Sequence, residues 1–582
     1  MPANKPSPAA KFERCGFFAG LLALVVLAIT APAIAAGDAL TIYTAREIIT
    51  MDPSLPQASA VATMNGRIVA VGDIDSMSAW TSTHDYVVDD RFADKVLVPG
   101  LIDNHLHPFL AAIILNTTWI TPHEWRLTGL VVPATQTPAD YLDRVRNAIA
   151  MDPDSTEPFI TWGYHELWHG PLRRNDLDAI SDSRPIILWQ RSFHEIIVNT
   201  PALEWLNFDP QTDDVPIDSD FDAGVFSERG LMAAVARLTP YFFAPERLAY
   251  GLDRLREIAH HGGITTLADM GVGMYLGLEQ EMSLLGQAYD NEATPFRLML
   301  IPVATALTNM VSNDVDALLS GPSTRRIRLG KHVKLLADGG FFAQNMRMNF
   351  PGYTDGHEGK WLMKPEQLYR VAESFWNRGY QVHVHVNGDE GMDVTLGILN
   401  RLLDKKPRFD HRFTLHHVGF ATNDQLRRAA RLGVVISAQP NYIWALGDKY
   451  AEHGLGADRA SQMSRIGAMV RNGIPTSLHS DFTMAPAAPL TLAWIAANRI
   501  TAEGTRMAPV ERISVDEALR AITIDAAFAL GLEQEIGSIV AGKRADFTVL
   551  EKNPLKVGVK RLRDIPVWGT VFEGRVYSLE KH

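Results

Sequence analysis

The sequence predicts an α/β protein built on a (β/α)8 TIM barrel, and three observations carry that expectation. Eight short runs rich in apolar and β-branched residues are spaced along the middle of the chain. Helical patterns lie between them, several stopped by glycine. The ligand-type side chains fall at the ends of those runs, where a parallel barrel carries its chemistry.

The elements follow in order. Residues 1–35 read as a signal peptide. Lys5, Lys11 and Arg14 precede the apolar CGFFAGLLALVVLAIT, and APAIAA offers small residues for cleavage near Ala35 or Ala36. No twin arginine precedes the apolar run, so the general secretory route is expected, with the mature chain periplasmic or secreted. The alternative is an uncleaved anchor, but the stretch is short for a bilayer span, so no stable membrane span is expected after cleavage. Cys15 is the only cysteine and lies inside that segment. The mature chain then has no disulfide, no thiol nucleophile and no Cys-bound metal.

Residues 36–95 contain ALTIYTAREIITM and ASAVATMNGRIVAVG, which alternate like antiparallel strands around an Asn65-Gly66 turn. Residues 531–582 do the same, with Glu573-Gly574 before the last strand. Both ends together predict one small β-sandwich domain. Between them, residues 96–530 form the expected barrel. VLVPGLIDNHLHP (96–108) is its first strand. The others are ITTLADM (264–270), FRLMLIPV (296–303), HVKLLADGG (332–340), YQVHVHVNGD (380–389), RFTLHHVGF (412–420), GVVISAQPN (433–441) and PTSLHSDFT (475–483). Ser514-x-x-Glu517 before ALRAI reads as a capping box. A large insert after strand 1, about residues 120–260, has helix and strand signals of its own and is expected to form a lobe over the barrel mouth.

At 582 residues and 46% hydrophobic content, the chain can bury one large core plus an accessory domain. A net charge of −12 with no basic stripe argues against a nucleic-acid partner.

His105 and His107 stand at i and i+2, so both imidazoles leave the strand on one side. Alone, such a pair is as readily two satisfied polar side chains. Four more ligand-type residues follow at strand ends: Lys334 on the fourth, His385 on the fifth, His417 on the sixth and Asp481 on the eighth. Imidazoles and a carboxylate suit zinc or a similar divalent ion. His383 would point the same way as His385 and is an alternative ligand. His416 should face away from His417, supporting a ligand from behind or serving the structure alone, and His479 shares a strand face with Asp481. Asp338 is expected to anchor its Gly-rich turn or to orient Lys334. The aromatic FFAQNMRMNF could line a substrate pocket, although such clusters more often pack a core.

These motifs resemble the amidohydrolase superfamily, in particular the amidohydrolase-3 group of YtcJ-like and N-substituted formamide deformylase-like proteins. PGLIDNHLHP, the insert segment from GYHELWHG to IIVNTPAL, VKLLADGG, VHVNGDEGMD and GSIVAGKRADFTVL carry the resemblance. It implies two zinc ions. His105 and His107 would bind the more buried ion, and His385 and His417 the second. Lys334 would bridge them as a CO2-derived carbamate, because an ammonium has no lone pair to offer. Asp481 would bind metal and shuttle a proton, and His194 would contact substrate at the mouth. The implied activity is hydrolysis of a non-peptide C–N bond in a small-molecule amide-type substrate (N-acyl, formamide or cyclic amide) by metal-activated hydroxide. Two departures stand out: His416 replaces the usual Glu before the strand-6 histidine, and His479-Ser480-Asp481 replaces Gly-Ser-Asp. They leave two alternatives open, a mononuclear hydrolase with Lys334 unmodified and a non-catalytic binding or regulatory protein on this scaffold. A homodimer is one expectation for the oligomeric state.

Overall fold

The structure, a computed structural model, describes residues 39–151, 155–208, 218–307 and 312–579. The expected signal peptide and Cys15 lie outside the described residues.

Eight parallel strands form the barrel: β1 (Leu101–Leu106), β2 (Ile264–Val272), β3 (Arg297–Pro302), β4 (His332–Leu336), β5 (Gln381–Val386), β6 (Thr414–His417), β7 (Val435–Ala438) and β8 (Thr476–Leu478). Ladders join β1 to β2 and β2 to β3, and run on from β4 through β8. A parallel bridge between Val303 and Lys334 carries the step from β3 to β4. The ring closes where the Asp481 N–H donates to the His105 carbonyl at 2.9 Å and the Asn104 side-chain amide donates to Ser477 Oγ at 2.9 Å. Every residue of β1, β2 and β3 is buried, as expected of strands covered on both faces. This explains why apolar residues such as Leu101, Ile102, Leu267, Ala268, Leu298 and Met299 stand side by side in these runs rather than alternating with exposed polar ones.

The terminal segments share one seven-stranded sheet. Strand Leu40–Ile49 sits inside it, antiparallel to Gln57–Met64 and parallel to Tyr86–Pro99. Phe547–Leu550 adds the C-terminal strands to the other side of Tyr86–Pro99. The hydrogen bonding joins the strands of both ends in one continuous sheet, because Tyr86–Pro99 pairs with strands from both ends of the chain. Tyr43, Val61 and Phe92 pack with Phe547, Val549 and Val571 in a shared core. Both tight turns use left-handed backbone: φ is +51° and +72° at Asn65-Gly66, and +48° and +79° at Glu573-Gly574. Gly100 passes the chain from this sheet into β1, and a Cβ there would lie 2.0 Å from Thr265 Oγ1.

The insert builds a six-stranded sheet centred on Phe159–Tyr164 and Ile186–Gln190, with its own core around Tyr141, Val145 and Leu188. Residues 245–261, expected within the insert, instead form a helix packed on the barrel helix Pro108–Ile114. Gly251 permits that approach: a Cβ would lie 2.4 Å from the Ala112 carbonyl oxygen. No helix among the described residues is long and apolar enough to cross a membrane.

Candidate metal centre

The strand ends bring His105, His107 and Asp481 together, each offering one ligand atom within 4.8 Å of the others. His107 Nε2 lies 3.3 Å and His105 Nε2 3.7 Å from Asp481 Oδ1. Two features of the backbone hold Asp481 there. Its own N–H is tied to β1, and the preceding Ser480 N–H donates to Asp103 Oδ1 at 3.1 Å. Asp481 takes φ +52° and His417 takes φ +75°. Non-glycine residues in the left-handed region are costly and tend to cluster at functional sites.

His417 sits beside His385, with ring centroids 4.4 Å apart. Its tautomer can be read from the hydrogen bonds behind it. The Asn104 amide donates to Ser477 Oγ, so its carbonyl oxygen accepts from the Ser437 hydroxyl at 2.9 Å. The Ser437 oxygen then accepts from His479 Nδ1–H at 2.9 Å. That leaves His479 Nε2 as a lone pair, 3.2 Å from His417 Nδ1, which also faces Gln439 Oε1 at 3.0 Å. His417 therefore carries its proton on Nδ1 and presents a bare Nε2. That atom is buried without a partner, and so is Lys334 Nζ. Buried polar atoms rarely go unpaired. Two orphans beside three further imidazoles and a carboxylate are a donor set suited to divalent cations.

Electrostatics point the same way. Burial, reinforced by the nearby Lys334 charge, holds His105 well below the usual imidazole range. Burial and neighbouring imidazoles do the same to His417, and burial and Lys334 take His385 down to about 3. All three are neutral and carry lone pairs. Burial brings Lys334 down to about 7 against the opposing pull of Asp481. Burial would raise Asp481, but the His107 hydrogen bond and charge, with His479 and Lys334, outweigh it and keep the carboxyl low.

The remaining candidates are distributed as follows. Asp338 does not touch Lys334. It accepts the N–H groups of Arg347, Asn387 and Gly388 at 2.8–2.9 Å, pinning the loop after β4 to the loop after β5. His416 does not face away as strand alternation suggested. The left-handed turn at His417 ends the strand, and His416 Nδ1 lies 2.8 Å from His105 Nδ1. His383 also points inward, but its partners are His332 and His416 rather than Asp481. His479 contacts His417 and stacks on His105, with centroids 4.5 Å apart. His194 lies at the mouth beside Gly340, with Nδ1 3.3 Å from Glu228 Oε1. Phe341 is buried and stacks on Tyr442 and Tyr450, so this part of FFAQNMRMNF packs the core.

Sequence reasoning missed three residues. Asp269 on β2 has Oδ1 4.0 Å from His107 Nδ1 and is wholly buried. Asp103 anchors Ser480, and Gln439 braces His417. Asp269 carried the same signal that drew attention to Lys334, a lone charged residue in an apolar strand.

A closed parallel barrel with such a cluster at its C-terminal rim defines a barrel protein with a candidate metal centre. Residues 93–577 match the model of the amidohydrolase family, and the chain belongs to that family. It is 26% identical over 522 residues to Protein LONG AFTER FAR-RED 3 of Arabidopsis thaliana, covering 87% of this chain and 86% of that one. It is 24% identical over 539 residues to the N-substituted formamide deformylase of Arthrobacter pascens, covering 90% of this chain and 96% of that one. Among solved structures, an uncharacterized metal-dependent hydrolase from Pyrococcus horikoshii superposes with a TM-score of 0.69 at 20% identity, covering 90% of this chain and 99% of that one. At that identity the likeness concerns the fold.

Proposed function

We propose that this protein is a metal-dependent hydrolase of a non-peptide C–N bond in a small amide-type molecule, of the N-acyl, formamide or cyclic amide kind. The observation that carries the reading is the convergence of His105, His107 and Asp481 beside the orphaned His417 Nε2 and Lys334 Nζ. In this reading His105, His107, His385, His417 and Asp481 would hold the divalent ions, two zinc ions, together with a CO2-derived carbamate on Lys334. Bound divalent ions supply Lewis acidity toward a carbonyl and acidify water. The chain supplies the rest. The Asp481 carboxylate, kept ionised by His107, accepts the proton of the attacking water and returns it to the departing nitrogen. Asp269 orients His107, Gln439 orients His417, and His194 meets substrate at the mouth. The relative from Arthrobacter pascens, a formamide deformylase by name, supports the substrate class. Export belongs to the same reading and rests on the residues before Ala36.

One observation favours a single-ion variant with Lys334 unmodified: His385 Nε2 is already engaged by the Asn387 side-chain amide at 3.0 Å. Metal stoichiometry separates the two.

The test is turnover of a panel of N-formyl, N-acyl and cyclic amides by the metal-loaded mature chain. Asp481→Asn should lose about 10²–10⁴-fold in rate while keeping its fold, the range for a general acid–base group. A variant turning over at the wild-type rate would contradict the mechanism.

A further inference from the structure

Behind His105 lies a file of imidazoles that the reaction does not use. His105 Nδ1 meets His416 Nδ1 at 2.8 Å, His416 Nε2 meets His383 Nδ1 at 2.9 Å, and His383 Nε2 meets His332 Nδ1 at 3.0 Å. The file crosses the barrel from the end of β1, through β6 and β5, to the first residue of β4. His105, His383 and His416 are at most 1% exposed, whereas His332 is 9% exposed and forms the outer end. No carboxylate interrupts the sequence of contacts.

A neutral imidazole has one N–H and one lone pair. Each N···N contact in the file needs one of each, so the tautomers cannot be chosen independently. Only two consistent settings exist. In the outward setting every ring donates away from the centre: His105 Nδ1–H to His416, His416 Nε2–H to His383, and His383 Nε2–H to His332. His105 Nε2 is then a bare lone pair facing the Asp481 side. In the inward setting every bond is reversed, and His105 carries its proton on Nε2, toward Asp481 Oδ1 at 3.7 Å. His417 differs, because the Asn104 amide fixes its tautomer through Ser437 and His479. Among the described residues, nothing fixes the file in that way.

We propose that His416, His383 and His332 are positioning residues that set the tautomer of His105, and that metal binding switches the whole file from the inward to the outward setting. The inference rests on the metal-centre reading above. The switch balances. One proton leaves His105 Nε2 to water, each N–H···N bond passes its proton one ring toward the centre, and one proton enters His332 Nε2 from water. Each ring remains neutral before and after. Occupancy at the centre is thereby written into the protonation pattern of His332, three hydrogen bonds away.

The experiment is ¹⁵N NMR of the full chain labelled at histidine, with the His332 signals assigned by their loss in His332→Gln. In chelator-treated protein, couplings across the three N–H···N bonds should show all donors pointing toward His105. Mixed senses, or no couplings, would overturn the file whether or not metal binds. On adding zinc ion, His332 should change from Nδ1-protonated to Nε2-protonated. Bound zinc with an unchanged His332 would overturn the switch. Failure to bind zinc would count against the metal-centre reading, and the couplings would still decide the file. His383→Phe, which cuts the file without touching the candidate ligands, should weaken zinc affinity by about 10-fold, at the low end of the range for lost supporting hydrogen bonds. Unchanged affinity in that variant would also overturn the proposal. If it does not fold, the measurements on the unmutated chain decide.

Discussion

Replacing His165 with glutamine should make the protein less sensitive to acid. His165 is buried, and both ring nitrogens are used as a neutral imidazole uses them. Nδ1 accepts from the Leu167 N–H at 3.2 Å, and Nε2 lies 3.0 Å from the Phe342 carbonyl, to which it donates. A proton added at Nδ1 would set two donors face to face. Burial, opposed by the Phe342 contact and helped by Arg191, takes the group down to about 3. The unfolded chain protonates this residue near pH 6.5. The folded value is depressed, so the stability contribution is present above about pH 6.5 and is lost as pH falls toward 3. One proton is worth about 1.4 kcal/mol per pH unit, so moving from pH 7.5 to 5 removes about 2 kcal/mol through this residue alone. Glutamine can accept and donate in the same two places without titrating. Urea unfolding of both proteins at pH 7.5 and pH 5 measures the effect. Wild type should lose about 2 kcal/mol more than His165→Gln. Equal losses would refute the reasoning that the insert is tied to the β4 loop through a neutral buried imidazole.

Further expectations concern the rim of the barrel. Asp338→Asn must turn an amide N–H toward at least one of three buried backbone donors, so urea unfolding should show a loss of about 1–3 kcal/mol. His194→Ala should raise KM more than it lowers kcat on a working substrate, and a variant unchanged in both would remove His194 from the site. Glu511→Gln should cost about 1–3 kcal/mol by calorimetry. Its buried carboxylate accepts from the half-buried Arg465, the exposed Arg471 and the Ala468 N–H, and an amide N–H in its place would face at least one of these donors.

Much of this architecture was legible in the sequence because parallel barrel strands are short apolar runs and their chemistry sits where the runs stop. His105, His107, Lys334, His385, His417 and Asp481 all lie on or just after such strands. What was not legible depends on partners far apart in the chain. Asp103 bonds to Ser480 377 residues away, and nothing local in LIDNHLHP marks that role. His416 was misread because alternation assumes an extended backbone, and φ at His417 is +75°. His383 and His385 share a strand face, but His383 lies closer to the start of β5, where it meets His332 rather than the rim. Sequence alternation gives the side of a strand, not the depth. The joining of both termini in one sheet rests on the pairing of Tyr86–Pro99 with Phe547–Leu550, which no pattern within either segment specifies.

Metal content tests the central claim most directly. The protein, purified without chelator and with bicarbonate present, should carry about two divalent ions per chain, held by imidazole and carboxylate ligands and a carboxylated Lys334. One ion per chain would contradict the bridged centre. No bound ion after reconstitution with zinc would contradict the assignment of these residues to a metal site altogether.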